Sequence, residues 1–325
     1  MNLSLIVLCY TRLNLVPGTR VLTRKTRYEV GFFSCEKPNS QFDGACYGIF
    51  AAKLLRLCAG RKRSVCRSWR YRRVLEVQRR GDSTYSDDIG GTVFTLGDNV
   101  YESGLEREFS ECYEPGWGRH KARTRPSPGN HDYKTAGATG YFGYFGEAAG
   151  PPDKGYYSYN LGDWHIVALN SMCELVGGCG ATSPMVTWLK QDLAANPTKC
   201  TLAYFHHPLF SSGKHGNSTK MLASWRALYA ANADVVLSGH DHSYERFAPQ
   251  RPDGALAWQR GIRQFVVGTG GGGLYPFGVI KANSQKRHAS TYGVLKLTLH
   301  ETSYTWEFVP QHGKTFTDFG VSDCH

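Results

Sequence analysis

The chain has 325 residues with 41% hydrophobic and 13% aromatic content, which is enough to bury a sizeable core and too much for a disordered protein. No run approaches the roughly 18 consecutive apolar residues that a membrane-spanning helix needs. The formal charge is +11, but residues 1–91 hold 17 of the 38 Lys and Arg and only 7 of the 27 Asp and Glu, a net of +10. Because the excess is confined to one segment, we expect no nucleic-acid partner.

Residues 1–90 have the weakest structural pattern in the chain. Their basic stretch CAGRKRSVCRSWRYRRVLEVQRRGD has neither the 2-residue nor the 3.6-residue apolar period of a strand or helix. We therefore expect residues 1–80 to pack poorly and to form little regular structure. The apolar opening MNLSLIVLCY lacks a basic start and a small-residue cleavage site, so no clear signal peptide is predicted and the localisation stays unknown.

From residue 91 onward the pattern is that of a folded domain. Short apolar runs end in polar or Gly-rich turns: TVFTL, WHIVAL, CTLAYF and DVVLS. Ser183 and Pro184 are a typical N-cap and first-turn pair for a helix over MVTWLKQDLAAN, and TKMLASWRALYAAN predicts a second helix. YGVLKLTL and SYTWEFV alternate as half-buried strands do. This order predicts an α/β sandwich with mixed sheets in residues 91–310, followed by a tail at 311–325.

The ten cysteines include no CxxC pair, so a structural zinc site is not predicted. Cys173 and Cys179 bracket the turn-like segment ELVGG. That spacing suits either a small loop disulfide in an exported protein or two unpaired thiols, and the sequence does not decide between them.

Four polar clusters follow the predicted strands or turns: GDNVY at 97–101, GNHD at 129–132, HHP at 206–208 and GHDHSYER at 239–246. Loops at the carboxyl ends of strands bring functional groups together in α/β sheets. Carboxylate, amide and imidazole ligands suit borderline metals, and two such metals can bind both oxygens of a phosphoryl transfer. Each cluster alone is an ordinary turn or buried pair, but the four in this order predict a metal centre.

In these clusters the chain resembles the calcineurin-like metallophosphoesterase superfamily and, within it, the purple acid phosphatase-like branch. That branch has GDxxY, GNH[ED], a strand-end His before Pro, and GHxHxYER, which stand here as GDNVY, GNHD, HHP and GHDHSYER. The resemblance covers about residues 91–310. It implies a four-layer α-β-β-α sandwich of two mixed sheets, two divalent or mixed-valence metal ions (Fe, Zn or Mn), and a secreted or periplasmic protein.

The resemblance also assigns site residues. Asp98 would bridge both metals, and His131 would be the catalytic proton donor or electrostatic stabiliser beside the phosphate. Tyr101 is either a ligand or a packing residue, and His215 either lines the phosphate pocket or lies in a solvated loop. His207 would contact the substrate or support a ligand. The remaining ligands would be Asn130, His206 and His240 for the second metal and His242 for the first.

One motif of the family is missing. The Asp that it places about 30 residues before GDN would be a ligand of the first metal, and residues 69–71 are Trp-Arg-Tyr. We hypothesise that about 60–80 is encoded out of frame. Read one base later, Trp69 becomes Gly, and an Arg70 codon ending in A yields Asp. The alternative is a genuinely divergent N-terminal segment.

These observations predict a metal-dependent phosphoesterase that hydrolyses phosphate monoesters, and conceivably diesters, of small substrates with a metal-bound hydroxide. The missing Asp would impair its activity. A second hypothesis is a pseudo-enzyme or binding module with a defective first metal site. A third, a basic nucleic-acid-binding protein, rests only on the charge of residues 1–91.

Overall fold

A computed structural model of the chain describes the backbone of residues 3–8 and the whole of residues 89–325. The described part has thirteen strands. They are β1 (Leu3–Leu8), β2 (Thr92–Leu96), β3 (Thr124–Ser127), β4 (Tyr157–Leu161), β5 (Trp164–Ala168), β6 (Cys200–Phe205), β7 (Val235–Ser238), β8 (Tyr244–Phe247), β9 (Arg263–Val267), β10 (Ser284–His288), β11 (Gly293–Leu299), β12 (Ser303–Pro310) and β13 (Phe319–Asp323).

Four α-helical segments connect these strands: α1 (Glu106–Glu108), α2 (Thr139–Phe145), α3 (Pro184–Ala195) and α4 (Leu222–Ala230). A π-helical turn at Phe109–Tyr113 follows α1 directly. Both predicted helices are confirmed, and the Ser183 hydroxyl caps α3 by accepting a hydrogen bond from the Val186 N–H at 3.4 Å. Shorter 3₁₀ segments span Trp117–Arg123, Asp132–Lys134, Ala136–Ala138, Gly146–Ala149, Cys173–Val176 and Thr219–Met221.

The strands form two mixed sheets. The smaller has the order β13-β12-β11-β1-β2-β3, in which β1, β2 and β3 are parallel and the other neighbours antiparallel. The larger has the order β10-β8-β9-β7-β6-β5-β4, in which β5, β6, β7 and β9 are parallel. The predicted α/β fold with mixed sheets is therefore confirmed.

Alternate side chains of each sheet enter different cores. Phe94 of β2 and Ile166 of β5 belong to the core between the sheets, together with Trp306 of β12. Val167, the neighbour of Ile166, packs instead in the core that contains residues of α3 and α4. Val93, the neighbour of Phe94, lies in a third core with Phe109, Tyr141 and other residues of the helical segments. Apolar side chains thus pack in three cores, one that joins residues of both sheets and two that include residues of the helical segments.

The central strands are buried on both faces, which explains their continuous apolar sequences. All residues of β5, β6 and β7 are buried. Parallel strands covered on both faces need such runs, because neither face meets water. The carboxyl ends of β6 and β7 lead into two of the polar clusters, and those of β2 and β3 lead into the other two, so the fold brings the candidate ligands together.

The described residues Leu3–Leu8 depart from the expectation of little regular structure at the N-terminus. These six residues form β1, which pairs in parallel with β2 and antiparallel with β11, so this stretch does have regular structure. Residues 9–88 lie outside the described part of the chain, and with them the reading-frame hypothesis for 60–80.

The C-terminal residues 311–325 are more than a tail. They contribute β13, which pairs with β12, and Cys324, which forms a disulfide with Cys200 at the start of β6. Cys173 and Cys179 also form a disulfide, which settles the alternative that the sequence left open. Across the described residues, no helix has the length and apolar character needed to cross a membrane.

Candidate metal centre

The four polar clusters converge where the two sheets present the ends of their parallel strands. Asp98 follows β2, Asn130 and His131 follow β3, His206 directly follows β6, and His240 follows β7. The backbone at two of these positions is left-handed, with φ of +52° at Asp98 and +65° at His240. Non-glycine residues adopt such φ values uncommonly, and at functional sites they serve to direct a side chain inward.

Glycines make the close approach of these loops possible. A Cβ on Gly97 would lie 2.6 Å from Nδ1 of His206, and one on Gly129 would lie 2.3 Å from Oδ1 of Asp98. Both distances are below van der Waals contact, so a side chain at either position would push the loops apart. The Gly that leads GDN and the Gly that leads GNHD are therefore required by packing.

His206 is the centre of the cluster. Its Nδ1 lies 2.7 Å from the Leu96 carbonyl oxygen and must donate to it, since a carbonyl only accepts. Its Nε2 lies 3.0 Å from Oδ1 of Asn130, 3.1 Å from Nδ1 of His240 and 3.3 Å from Oδ2 of Asp98.

This arrangement fits a metal ion. With a cation in the site, His206 would be neutral with its proton on Nδ1, and Nε2 would present a lone pair beside the oxygens of Asp98 and Asn130 and Nδ1 of His240. One proton could bridge only one of these pairs at a time, whereas a cation could be bound by all four atoms. The set of one carboxylate, one amide and two imidazoles suits Zn, Fe or Mn.

Asp98 is buried and charged. Burial alone would raise the pKa of its carboxyl, but His206 and the donating N–H of His131 offset this and hold the pKa well below its usual value. Oδ1 accepts the His131 backbone N–H at 2.8 Å, and Oδ2 accepts the Tyr101 hydroxyl at 2.9 Å. The structure thus directs the Tyr101 oxygen at the candidate bridging carboxylate.

Three other imidazoles of the clusters are held neutral by burial. Burial lowers the pKa of His242 to about 4 and that of His207 to about 3, and it also lowers the pKa of His240 strongly. Neutral imidazole is the form that binds metals. His242 donates from Nδ1 to the Gly273 carbonyl at 2.8 Å, which leaves Nε2 with a free lone pair.

His131 is oriented by a backbone contact. Its Nδ1 lies 2.7 Å from the Glu102 carbonyl and donates to it. Its ring packs against Tyr101 with centroids 4.3 Å apart. With one nitrogen fixed in this way, only Nε2 remains to exchange a proton with a ligand.

His207 and His215 surround His240. Their ring centroids each lie 4.4 Å from that of His240. His206, His207 and His240 each offer a nitrogen within 4.8 Å of the other two, so the geometry permits His207 as a ligand as well as a substrate contact. His207 Nδ1 also lies 2.8 Å from the Ser171 hydroxyl. The structure therefore brings together all nine residues that the sequence analysis singled out.

Two buried aspartates support the loops and were not predicted. Asp132 accepts from the Gly129 N–H at 2.8 Å and from the Asn99 amide at 3.0 Å, which ties GNHD to GDN. Burial, with a contribution from nearby Asp98, raises the pKa of Asp132 to about 7. Asp241 accepts the His215 N–H at 2.8 Å and so holds that loop to GHDH. Both lie inside the recognised motifs, but the motifs alone do not reveal what these side chains bind.

A third unpredicted element is the loop after β9. The sequence TGGGG at 269–273 indicates only a turn, yet Gly273 accepts from His242 and Tyr275 stacks on the His242 ring with centroids 4.5 Å apart. The Tyr275 hydroxyl donates to the His240 carbonyl at 3.1 Å. A glycine-rich run directly after a strand was the only available sequence signal.

Parts of this chain are similar in sequence to known proteins. Purple acid phosphatase 21 of Arabidopsis thaliana is 35% identical over 100 residues, which cover 29% of this chain and 22% of that protein. Tartrate-resistant acid phosphatase type 5 of Rattus norvegicus is 25% identical over 180 residues, covering 47% of this chain and 55% of that protein. Probable inactive purple acid phosphatase 9 of Arabidopsis thaliana is 24% identical over 188 residues, covering 51% of this chain and 28% of that protein. The chain thus spans from about a fifth to about half of these relatives.

Solved structures share the fold. Purple acid phosphatase PPD1 from yellow lupin seeds superposes with a TM-score of 0.63 at 17% identity, covering 77% of this chain and 49% of that one. GAP50 of Plasmodium, described as the anchor in the inner membrane complex, gives a TM-score of 0.55 at 12% identity, covering 79% of this chain and 83% of that one. The family model described as Calcineurin-like phosphoesterase matches residues 68–244, more than half of the sequence. The chain belongs to the calcineurin-like phosphoesterase family.

Proposed function

We propose that this protein hydrolyses phosphate monoesters, and to a lesser extent diesters, at a binuclear metal centre. The observation that carries the proposal is the contact of His206 Nε2 with Asp98, Asn130 and His240, all within 3.3 Å. Four metal-binding atoms at one point, in a member of a phosphoesterase family, support metal-assisted phosphoryl chemistry.

Two sets of residues would hold the cations. Asn130, His206 and His240 would bind one, and Tyr101 and His242 the other. Asp98 would bridge them, because its negative charge offsets the repulsion of two cations. Such ions, when bound, neutralise phosphoryl oxygens and lower the pKa of a coordinated water. Iron, zinc and manganese all suit the ligand set.

His131 would handle the proton of the leaving group. The Glu102 carbonyl fixes Nδ1, so a protonated ring presents Nε2–H to the ester oxygen and returns to the neutral form when that proton leaves. His207 and His215, which flank His240, would donate hydrogen bonds to the phosphoryl oxygens. The substrates would be small phosphorylated molecules, since the excess positive charge lies in residues 1–91 and not in the part of the chain that carries the site.

A pseudo-enzyme is the second candidate. Within the described residues, the first metal would have only Asp98, Tyr101 and His242 as ligands. Two of these also contact other groups: the Tyr101 hydroxyl donates to Asp98, and Asp98 lies beside His206. One relative carries the name of a probable inactive purple acid phosphatase. Metal content and activity together separate the two proposals: hydrolysis that rises as a second metal binds supports the enzyme, and one bound metal without hydrolysis supports the pseudo-enzyme.

The disulfides of the chain favour an oxidising compartment. Cys173–Cys179 and Cys200–Cys324 are disulfides. Disulfides persist mainly in exported proteins, because the cytosol keeps thiols reduced. We therefore propose that the protein acts outside the cytosol.

Hydrolysis assays test the function. The full chain is treated with a chelator, dialysed, and assayed with p-nitrophenyl phosphate and bis-p-nitrophenyl phosphate across pH, with Fe, Zn or Mn added back. We expect monoester hydrolysis that is lost on chelation and restored by metal. Absence of hydrolysis in a chain with two metals bound would contradict the proposal.

A further inference from the structure

The loop after β9 places Tyr275 against both histidines of the GHDH segment, His240 and His242. Tyr275 donates its hydroxyl to the His240 carbonyl at 3.1 Å and stacks on His242 at 4.5 Å. Its own N–H donates to the His242 carbonyl at 3.4 Å. The hydroxyl hydrogen bond and the ring stack together orient the Tyr275 side chain against the candidate metal centre.

The side chain of Lys214 lies over the Tyr275 ring. The Lys214 ammonium is 5.5 Å from the centroid of the Tyr275 ring, within the range of a cation–π contact. The backbone on both sides of Lys214 is held in place. Gly213 donates to the Ser211 hydroxyl at 2.9 Å, and His215 donates to Asp241 at 2.8 Å.

The charge of Lys214 is not neutralised by a neighbour. Among residues 89–325 it forms no ion pair, whereas Lys220, a few residues further on, pairs with Glu174 at 3.2 Å. Lys214 is also exposed. The result, within the described part of the chain, is an exposed positive charge over the ring of Tyr275, which itself contacts His240 and His242.

We propose that Lys214, positioned by Tyr275, recognises a second anionic group carried by the leaving group of the substrate. This inference rests on the proposed phosphoesterase function and names its preferred substrates: phosphate esters that bear a further carboxylate or phosphate. His207 and His215 lie against His240 and would meet the phosphoryl group itself. Lys214 lies further out, on the Tyr275 side, where the remainder of the ester would leave the site.

The expected size of the substrate preference follows from the exposure of Lys214. An exposed ion pair contributes up to about 1 kcal/mol, and a contribution of about 0.4–1 kcal/mol gives a preference of roughly two- to fivefold for the doubly anionic ester at low salt. The preference should decline as salt screens the charge. A contact made by the leaving group before reaction should affect KM more than kcat.

The test compares two esters whose leaving groups have similar acidity, phenyl phosphate and 3-carboxyphenyl phosphate. The metal-loaded full chain should show a kcat/KM roughly two- to fivefold higher for the carboxylated ester. Lys214→Met should remove this preference through KM, and Lys214→Arg should keep it. Lys190→Met is the matched control, because Lys190 is also exposed and its ammonium donates to the Ala181 carbonyl at 3.1 Å, away from the candidate metal centre.

Binding provides a readout that does not depend on turnover. Titration calorimetry with phenylphosphonate and 3-carboxyphenylphosphonate should show the same preference in wild type and its loss in Lys214→Met. If wild type hydrolyses neither ester, the proposed function fails while these titrations still test the recognition. Equal affinity for both phosphonates, or a preference that survives Lys214→Met, overturns the inference.

Discussion

Nδ1 of His240 lies 3.1 Å from Nε2 of His206, and burial keeps His240 in its neutral form. His206 has already committed its Nδ1 proton to the Leu96 carbonyl. Both imidazoles and the charged Asp98 could therefore present lone pairs to one cation. This convergence is what a metal site requires, independently of the resemblance to known motifs.

Asp98→Asn should remove metal and activity together. The substitution preserves shape but removes the charge that would hold two cations, and an amide cannot accept from both Tyr101 and His131 as the carboxylate does. Metal analysis of the purified variant and its rate with p-nitrophenyl phosphate are the measurements. A variant with full metal content and normal rate would contradict the bridging role.

His131→Ala should separate metal binding from catalysis. The side chain contacts the Glu102 carbonyl and the Tyr101 ring, so metal content should remain near that of wild type. If His131 is the general acid, kcat should fall by roughly 10²–10⁴-fold. The loss should be smaller with p-nitrophenyl phosphate, whose leaving group needs little protonation. An equal loss for good and poor leaving groups would rule out the proton-transfer role.

The sequence predicts those parts of the site that are contiguous in the chain. Asp98 and Tyr101 lie in one cluster and Asn130 and His131 in another, and each cluster follows a strand whose apolar run is visible by itself. Parallel strands end at a common edge, so the convergence of the clusters follows from the fold class.

Contacts between distant segments could not be predicted. Tyr275 contacts a residue 35 positions away, and Gly273 one 31 positions away. The partner of Cys200 is 124 positions away, with no local signal at either end. Such pairs arise from tertiary packing, and a single sequence carries no periodicity that reports them.

The two disulfides should differ in their contribution to stability. Cys200–Cys324 closes a loop of 124 residues and Cys173–Cys179 one of 6. The chain-entropy model gives about 5 kcal/mol for the long loop and about 2 kcal/mol for the short one. Cys200→Ala with Cys324→Ala should therefore lower the free energy of unfolding more than the Cys173→Ala, Cys179→Ala pair. Urea unfolding of both variants measures this, and the opposite order would contradict it.

The Asp192 carboxylate should make part of the stability depend on pH. Burial would raise its pKa, but hydrogen bonds from His165 and Ser158 outweigh this and lower it. A lowered folded-state pKa stabilises above the unfolded value, near 3.9, and the gain is lost as pH falls through the folded value. Asp192→Asn should cost about 1–2 kcal/mol at pH 7. The difference from wild type should shrink below about pH 4; a difference that grows on acidification would refute this.

The chain as written should bind one metal tightly and a second weakly. One set of ligands, with Asn130, His206 and His240 around Asp98, is complete within the described residues, whereas the other depends on Tyr101 and His242. Equilibrium dialysis with zinc should show two sites of clearly different affinity, and activity should follow occupancy of the weaker one.

The reading-frame hypothesis makes a further prediction about this weaker site. If the coding DNA has an Arg70 codon that ends in A, shifting the frame over about 60–80 supplies an Asp near position 70, where the family places a ligand of the first metal. The corrected chain should then bind both metals tightly and show a higher kcat, because a second carboxylate would add charge and a ligand to the poorer set. Asp98→Asn in the corrected chain is the control, since it should again remove metal. Two tight sites and full activity in the uncorrected chain would show that the Asp is not needed, and an Arg70 codon ending in another base would exclude the shift.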